Sequence, residues 1–459
     1  MLPISKENLK NAMSAQGVTD MGLATIRQCV NVAKTLEKTT GEPFVHLELG
    51  IPGLDACKVG VEAQLHAIES GVASVYPPAA GIPELKENGA KFVKAYTGID
   101  LNPRGVIPTV GAMQACYNLL LECSQLACGR RAVLYLDPGF PSHYIQANVL
   151  GLEVRSFDLG DYRGENLRLK LEEMLSDGKV CAMVYSNPNN PSWMCLSEEE
   201  LRIIGEMCTR YDVVALEDMA YMCMDFRRNE PHQPTVARYT DNWVMMISAS
   251  KIFSYAGERI AVVAISDDLY GRKYAALEER YGLATFGDNF AMTYLYVNIS
   301  GASHSAQIAL SAMFRAAAEG IYDFVAETRR YAERAHRVKE IFLRHGFHLV
   351  YDKDIDADVS DGFFFTIGYN GLTGGELQQE LMRCGISAIS LASSRSRREG
   401  VRICVALLKK EEDYSLLDER LSLFSKNFYL AGVQVAPSEQ IWAGLCRLPS
   451  RATFETLKL

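Results

Sequence analysis

The stretch Trp243-Val-Met-Met-Ile-Ser-Ala-Ser-Lys251, which runs on to Gly257-Glu-Arg259, is the most informative part of this chain. It opens with an apolar run typical of a buried strand and ends in small hydroxyl residues and one lysine. Burial at a strand end lowers the pKa of a lysine and makes its neutral amine available as a nucleophile. Ser248, Ser250 and Arg259 are predicted to bind an anion such as phosphate. Taken alone, the stretch is equally consistent with a strand that ends in a surface lysine.

Composition bounds the class of protein. The chain has 459 residues, which exceeds one ordinary domain, and it is 48% hydrophobic and 22% charged, as expected of a globular protein. The net charge of −9 and the lack of a basic tract argue against nucleic acid as a partner.

Cysteine usage and the N-terminal sequence suggest a compartment. The 12 cysteines lie in apolar segments without a C-x-x-C pair, so we expect no metal site and a reducing cytoplasm. The first ten residues lack the apolar core of a signal peptide, and no run approaches about 18 apolar residues. We therefore expect a cytoplasmic chain without a membrane span.

Residues 1–54 are predicted to form an N-terminal arm that contributes to a smaller domain. One helix is expected at about residues 22–36, followed by a short strand that is broken by glycine and proline at Gly50-Ile51-Pro52. A rigid loop, residues 75–83, carries Tyr76, which could equally pack on its own domain.

From residue 106 onward, strands and helices are predicted to alternate. Five nearly continuous apolar runs mark the strands, at residues 106–110, 132–136, 180–185, 213–216 and 243–247. Such runs suit parallel strands that are covered on both faces. We expect an α/β large domain over residues 55–302, with a mostly parallel sheet.

Polar and aromatic residues follow each predicted strand. They are Gly111-Ala112-Met113, Asp137-Pro-Gly-Phe140, Ser186-Asn-Pro-Asn-Asn190, Asp218-Met-Ala-Tyr221 and Ser248-Ala-Ser-Lys251. Because ligands bind at the carboxyl ends of the strands of open α/β sheets, we expect these groups to form one site.

After residue 302 the alternation stops. A long helix is predicted at about residues 322–345, and short strands and helices follow, so residues 303–430 are expected to form a small α+β domain. Residues 431–459 are predicted to be a C-terminal extension, to which the sequence assigns no role.

The predicted site residues match the chemistry of pyridoxal 5′-phosphate (PLP). Its aldehyde needs a lysine amine, and its phosphate needs amides, hydroxyls and a cation. Its ring nitrogen needs a carboxylate that keeps it protonated, and its ring hydroxyl needs hydrogen-bond donors.

At this point the sequence resembles a known family, the fold-type I PLP-dependent aminotransferases of class I/II. The resemblance covers roughly residues 45–410 in the family order. It is carried by Tyr76 with Gly81, Gly111-Ala112, Asp137-Pro-x-Phe140-Pro, Asn190-Pro-Ser, Asp218-x-x-Tyr221, Ser248-x-Ser-Lys251 with Arg259, and Val401-Arg402-Ile.

The resemblance implies roles around the cofactor ring. Lys251 would form the Schiff base with PLP and then act as the general base, and Asp218 would pair with the ring nitrogen. Tyr221 and Asn190 would bind the ring hydroxyl, and Phe140 would stack on the ring. Three of these residues also admit a structural role: a helix N-cap for Asp218, turn chemistry for Asn190 and core packing for Phe140.

The resemblance also implies residues for the phosphate and the substrate. The phosphate would be held by Gly111, Ala112, Met113, Ser248, Ser250 and Arg259, and by Tyr76 from a second subunit, which makes the protein a homodimer. Arg402 would bind the substrate α-carboxylate as a bidentate pair, supported by the Gly50-Ile51 turn, with Phe140 and Asn190 lining the substrate side.

Two segments depart from the family pattern. Trp193 stands where the family usually has glycine, which puts the local turn in doubt. The segment Ser394-Arg-Ser-Arg-Arg398 is unusually basic. It would either select an acidic substrate side chain or form a solvated loop.

The sequence therefore predicts a PLP-dependent aminotransferase of amino acid metabolism, which moves an amino group between an α-amino acid and a 2-oxo acid. A PLP-dependent lyase of the same fold, either a carbon–sulfur lyase or an enzyme like aminocyclopropane-carboxylate synthase, is the alternative, since one fold hosts several reactions. A non-catalytic ligand-binding protein on this scaffold is a third reading. The amino-acid substrate cannot be read from the sequence.

Overall fold

The computed structural model describes residues 2–227 and 232–430. The predicted C-terminal extension, residues 431–459, lies outside the described residues. Within the described ranges, no helix has the length and apolar character needed to cross a membrane.

The N-terminal segment contains two helices and one strand, α1 (Lys6–Ala15), α2 (Ile26–Thr40) and β1 (Val45–His46). The sequence predicted a single helix from about residue 22. Helix α2 begins later because Thr25 caps it, with its hydroxyl accepting from the amide of Gln28 and the Gln28 side chain bonding back. The helix ends at Gly41, whose φ of +75° is favourable for glycine.

The central part of the chain alternates strands and helices, as predicted. Its strands are β2 (Val106–Thr109), β3 (Ala132–Asp137), β4 (Glu153–Asp158), β5 (Val180–Ser186), β6 (Val214–Asp218), β7 (Trp243–Ser248) and β8 (Ala261–Ile265). Its helices are α3 (Lys58–Glu69), α4 (Pro83–Thr97), α5 (Gly111–Cys123), α6 (Pro141–Val149), α7 (Glu165–Leu175), α8 (Glu198–Tyr211), α9 (Ala249–Ile252), α10 (Asp267–Gly271), α11 (Ala275–Tyr281), α12 (Phe286–Asn289) and α13 (Tyr296–Ile299).

These strands form one sheet in the order β2-β8-β7-β6-β5-β3-β4. Strand β8 is antiparallel to both of its neighbours, and the other neighbouring pairs are parallel. Along β3, Val133 and Tyr135 join one hydrophobic cluster, whereas Leu134 and Leu136 join another. The sheet is therefore packed on both faces, which confirms the predicted α/β class with a mostly parallel sheet.

Two strands of this sheet, β4 and β8, were not predicted from the sequence. Strand β4 is an edge strand whose first four residues are partly or fully exposed, so it lacks the continuous apolar run used to find the others. Strand β8 is fully buried, but it follows β7 closely and runs in the opposite direction.

The C-terminal part contains helices and short strands. The helices are α14 (His304–Ala318), α15 (Phe324–Thr328), α16 (Arg330–Arg344), α17 (Gly374–Arg383) and α18 (Glu411–Leu430). The strands are β9 (His348–Leu349), β10 (Lys353–Asp354), β11 (Ala357–Asp358), β12 (Phe364–Gly368), β13 (Ile386–Ser387), β14 (Ile389–Ser390) and β15 (Val401–Cys404). Strands β14, β15, β12 and β9 form an antiparallel sheet in that order.

The predicted helix at residues 322–345 is two helices, α15 and α16, which meet at Arg329. The hydroxyl of Thr328 donates to the carbonyl of Phe324 at 2.8 Å, a bond that competes with the backbone ladder of the helix.

The N-terminal segment joins the C-terminal part of the fold. Strand β1 pairs in parallel with β13, and Ile4 and Leu9 are buried in one cluster with Met382 and Ile389. Helix α14 packs instead against α3 and α4 beside the large sheet. The domain boundaries at residues 54/55 and 302/303 stay predictions.

Candidate active site

The predicted site residues collect along one edge of the large sheet. Strands β3, β5, β6 and β7 run in the same direction, so their carboxyl ends lie side by side. The register places Ser186 beside Asp218, and Asp218 beside Met246. Because β8 is antiparallel to both β2 and β7, its Ala261 lies between Thr109 and Ser248. The ends of five strands therefore meet at one edge, as predicted.

Lys251 lies in the short helix α9 that follows β7. Its amine donates a hydrogen bond to the carbonyl of Gly50 and lies 5.4 Å from the centre of the Phe363 ring. Burial lowers the pKa of Lys251 to about 8, and the nearby guanidinium groups of Arg402 and Arg259 act in the same direction. The neutral form of this amine is therefore much more populated near neutral pH than that of an exposed lysine.

Asp218 is buried at the end of β6. Its Oδ1 accepts a hydrogen bond from the amide of Ala220 at 3.0 Å, and burial raises its pKa to about 6. A turn follows it, so the side chain caps a turn where the sequence had also allowed a helix N-cap.

His143 faces Asp218, and the sequence analysis gave it no role. Its Nε2 lies 3.6 Å from Oδ2 of Asp218. Burial lowers the pKa of His143 to about 4, so the imidazole is neutral near neutral pH. His143 could have been predicted from its position, because it lies three residues after Phe140 on the first turn of α6. A helical turn brings both side chains to the same edge of the sheet.

Three further predicted residues line the same edge. Tyr221 is buried, with its ring centre 5.4 Å from that of Phe363. The backbone amide of Asn190 donates to the hydroxyl of Ser186 at 3.1 Å, which fixes the turn after β5. Phe140 precedes α6, and its ring meets that of His143 edge-on at 5.3 Å.

The predicted anion cradle is assembled where β2 meets α5. Gly111 opens α5 with a φ of +74°, and a Cβ at this position would lie 2.5 Å from Nη2 of Arg259. The amides of Gly111, Ala112 and Met113 start the helix and have no intrahelical acceptor, so they suit an anion.

The hydroxyl residues of the cradle lie at the next strand end. Ser248 caps α9, and its hydroxyl accepts from the amide of Ser250 at 3.2 Å. The Ser248 hydroxyl proton remains available to an anion.

Arg402 reaches the site from β15 of the small sheet. Its guanidinium carbon lies 4.4 Å from the centre of the Phe364 ring, and its Nη2 donates to the backbone carbonyl of Glu48. Its Nε is buried and has no hydrogen-bond partner among the described residues. A Cβ added to Gly50 would lie 3.9 Å from Nη1 of Arg402, so the Gly50 turn faces this cation. Ile51, the next residue, is 44% exposed.

Tyr76 lies at the surface and is 88% exposed. The ring of His304 holds its loop through a 3.1 Å contact between Nδ1 and the carbonyl of Val75. Tyr76 was predicted for the site, but in the fold of this chain its side chain is exposed at the surface.

The structure shows how the chain accommodates the two departures from the family pattern. Trp193 adopts a left-handed φ of +65° and is fully buried, so the turn forms with tryptophan in place of glycine. In the basic segment, Arg398 pairs with Asp161 at 2.9 Å, whereas Nε of Arg395 lies 3.9 Å from Oδ2 of Asp137. Arg398 is thus engaged in a contact within the fold.

The chain is similar to known proteins in sequence and in fold. The sequence profile described as "Aminotransferase class I and II" matches residues 42–419. A probable aspartate aminotransferase of Methanocaldococcus jannaschii is 27% identical over 250 residues, which is 54% of this chain and 61% of that protein. An S-alkyl-thiohydroximate lyase of Arabidopsis thaliana is 28% identical over 196 residues, 42% of this chain and 41% of that protein. The chain thus spans about half the length of these curated relatives.

A solved structure agrees with the fold. A single mutant of Thermus thermophilus aspartate aminotransferase superimposes with a TM-score of 0.72 at 20% identity, covering 87% of this chain and 97% of that one. At this identity the likeness establishes the fold alone, and it confirms the predicted fold type.

Proposed function

The chain belongs to the class I and II aminotransferase family, and from this premise we propose that it is a PLP-dependent aminotransferase acting on an α-amino acid and a 2-oxo acid. One observation carries the proposal. The buried amine of Lys251 and the guanidinium of Arg402 converge on the turn at Gly50, one from each sheet. An amine poised for proton transfer and a cation for a carboxylate are the two groups that an amino-acid substrate needs.

The residues at the edge of the sheet fit PLP. The missing Cβ of Gly111 leaves room beside Arg259 for a phosphate, which the amides at the start of α5 and the Ser248 and Ser250 hydroxyls would hold. A protonated ring nitrogen would supply the cation that the buried carboxylate of Asp218 lacks among the described residues. Lys251 would hold the aldehyde. When bound, PLP supplies an electron sink for the electron pair left at the substrate Cα.

The other ring contacts follow from the same arrangement. Tyr221 and Asn190 would donate to the ring hydroxyl, and Phe140 would cover one face of the ring. The neutral imidazole of His143, 3.6 Å from Asp218, would orient that carboxylate without removing its charge.

Arg402 would bind the α-carboxylate of the substrate. Its guanidinium lies over the ring of Phe364 and donates a hydrogen bond to Asn190, so its remaining donors are fixed in direction. The amides of the Gly50-Ile51 turn would support the same carboxylate. This fixes the substrate Cα close to Lys251.

Lys251 would then move the proton. Because burial lowers its pKa to about 8, Nζ has a neutral form that takes the proton from the substrate Cα and returns it on the way to product. Two such half-reactions, with an amino acid and then with a 2-oxo acid, complete the exchange.

A homodimer in the cytoplasm is part of the proposal. Tyr76 is 88% exposed, and Val61, Leu65 and Ile68 are exposed along one face of α3. A second copy of the chain would cover such surfaces, and its Tyr76 would reach the phosphate. Buried thiols such as Cys116 suit a reducing compartment.

A PLP-dependent lyase is the second candidate, and it is favoured by one observation, the similarity to the plant lyase. Incubating the PLP-loaded protein with a panel of single amino acids separates the two activities. Stoichiometric conversion of bound PLP to its amino form supports the aminotransferase. Continuous release of 2-oxo acid and ammonia supports the lyase, and failure to take up PLP contradicts both.

A further inference from the structure

Trp193 occupies an unusual turn next to the candidate site. Its φ of +65° lies in the left-handed region, which a bulky side chain rarely adopts and which glycine adopts at no steric cost. Two backbone bonds close the turn, from the amide of Trp193 to the carbonyl of Asn189 and from the amide of Asn189 to the carbonyl of Met194, both 2.9 Å. The indole points inward and is fully buried.

Gly362 makes the space for this indole. A Cβ at position 362 would lie 2.1 to 2.3 Å from three indole atoms, Cε2, Cζ2 and Nε1. Its φ is not in the left-handed region, so the glycine is needed there for space and not for backbone freedom. Trp193 and Gly362, 169 positions apart in the chain, are therefore complementary in shape.

The indole contacts two rings of the site. Its centre lies 5.4 Å from that of Tyr221 and 6.1 Å from that of Phe364, edge to face in both pairs. Tyr221 and Phe364 are 5.3 Å apart, so the three rings form a triangle. Arg402 packs against Phe364, with its guanidinium carbon 4.4 Å from the centre of that ring.

Packing against its neighbours holds the indole in place. Its Nε1 is buried and has no hydrogen-bond partner among the described residues. A left-handed turn and an unsatisfied buried donor both disfavour tryptophan here, and outliers of this kind cluster at functional sites.

We infer that Trp193 is a positioning residue, which holds Tyr221 on the cofactor side and, through Phe364, Arg402 on the carboxylate side. This inference rests on the proposed function. Without the indole, both rings gain room to turn, and the Phe364 ring no longer holds Arg402 in one position. A Cβ at position 362 would displace the indole from this position, so the two rings would again lose the contacts that fix them.

Five holoenzymes test the inference: the wild type, Trp193→Gly, Trp193→Phe, Gly362→Ala, and the double variant Trp193→Gly with Gly362→Ala. For each we would measure the rate of PLP loss on dilution, the KM and kcat for the best amino donor, and thermal unfolding. The rate of PLP loss does not depend on turnover.

We expect Trp193→Gly and Gly362→Ala each to raise both the KM and the rate of PLP loss by about tenfold or more, since small misplacements in a site have effects of this size. Trp193→Phe keeps a ring edge against Tyr221 and should stay within about threefold of the wild type. In the double variant the Cβ meets no indole, so Gly362→Ala should add nothing to Trp193→Gly.

Two results would overturn the inference and leave the proposed function intact. Unchanged KM and PLP loss in a folded Trp193→Gly or Gly362→Ala protein shows that the indole is only core packing. An equal penalty for Gly362→Ala with and without Trp193 shows that Gly362 acts through other atoms. If Trp193→Gly does not fold, Gly362→Ala and Trp193→Phe carry the test. A wild type that takes up no PLP contradicts the proposed function itself, and the inference with it.

Discussion

The guanidinium of Arg402 donates a 3.2 Å hydrogen bond from Nη1 to the side-chain oxygen of Asn190. The two residues are 212 positions apart, one on β15 of the small sheet and the other in the turn after β5 of the large sheet. This buried bond joins the two sheets at the place where the substrate carboxylate and the cofactor would meet.

The first prediction concerns this bond. Arg402→Lys keeps the charge but loses the fork that serves Asn190 and a carboxylate together, so kcat/KM should fall by about a hundredfold or more. Steady-state kinetics on the PLP-loaded protein checks it. Arg398→Lys is the matched control, because that guanidinium pairs with Asp161 at the surface and should leave kcat/KM within about twofold of the wild type. Similar kinetics in both variants would contradict the role of Arg402.

The second prediction concerns Asp218 and pH. Burial raises its pKa from 3.8 to about 6 in the folded protein, so between these values the folded state binds a proton that the unfolded chain has released. The free energy of unfolding of the PLP-free protein should therefore fall as the pH rises from about 4 to 7, by about 2 kcal/mol from this group. Asp218→Asn should remove this fall and make the PLP-free protein more stable than the wild type at pH 7.

Urea unfolding at pH 4 and pH 7 measures this difference. Asp100→Asn is the control, since that side chain is 80% exposed and pairs with Lys94 at the surface. At the same time, Asp218→Asn should weaken PLP binding. If Asp218→Asn lowers the free energy of unfolding by the same amount at both pH values, burial does not raise the pKa of Asp218.

The third prediction concerns the phosphate cradle. In Gly111→Ala the new Cβ would displace the tip of Arg259, so affinity for PLP should fall by about tenfold or more, since a charge-assisted phosphate contact is lost. Affinity for pyridoxal, which has no phosphate, should change much less. Equilibrium dialysis with both ligands gives the ratio.

Gly129→Ala is the control for backbone strain. Gly129 has a φ of +81° and no atom within 4 Å of an added Cβ, so its substitution strains the backbone without touching the site. Equal losses for PLP and pyridoxal in Gly111→Ala would mean that Gly111 serves the fold and not the phosphate.

The sequence predicted the parts of the fold whose residues carry a continuous local pattern. Strands β3, β5, β6 and β7 are buried on both faces and so appear as unbroken apolar runs. Strand β4 lies at the edge of the sheet, where exposed positions break the run. The start of α2 depended on a capping box at Thr25, a local signal that hydrophobic spacing alone does not show.

The candidate site was predictable where strand ends carry its residues. Lys251 and Asp218 each follow a strand, and parallel strands bring their ends together. The aromatic contacts were not predictable, because Trp193 meets Gly362 and Phe364 only through the packing of the small sheet on the large one. The proposed role of Tyr76 requires a second chain, because its ring is exposed at the surface of this one.

The most direct test of the account is to find the lysine that holds the cofactor. The PLP-loaded wild type is treated with borohydride, which fixes PLP to its lysine, and the digested protein is mapped by mass spectrometry. The account predicts the label on Lys251, and neither label nor activity in Lys251→Ala. A label on a different lysine, or full activity in Lys251→Ala, would contradict it.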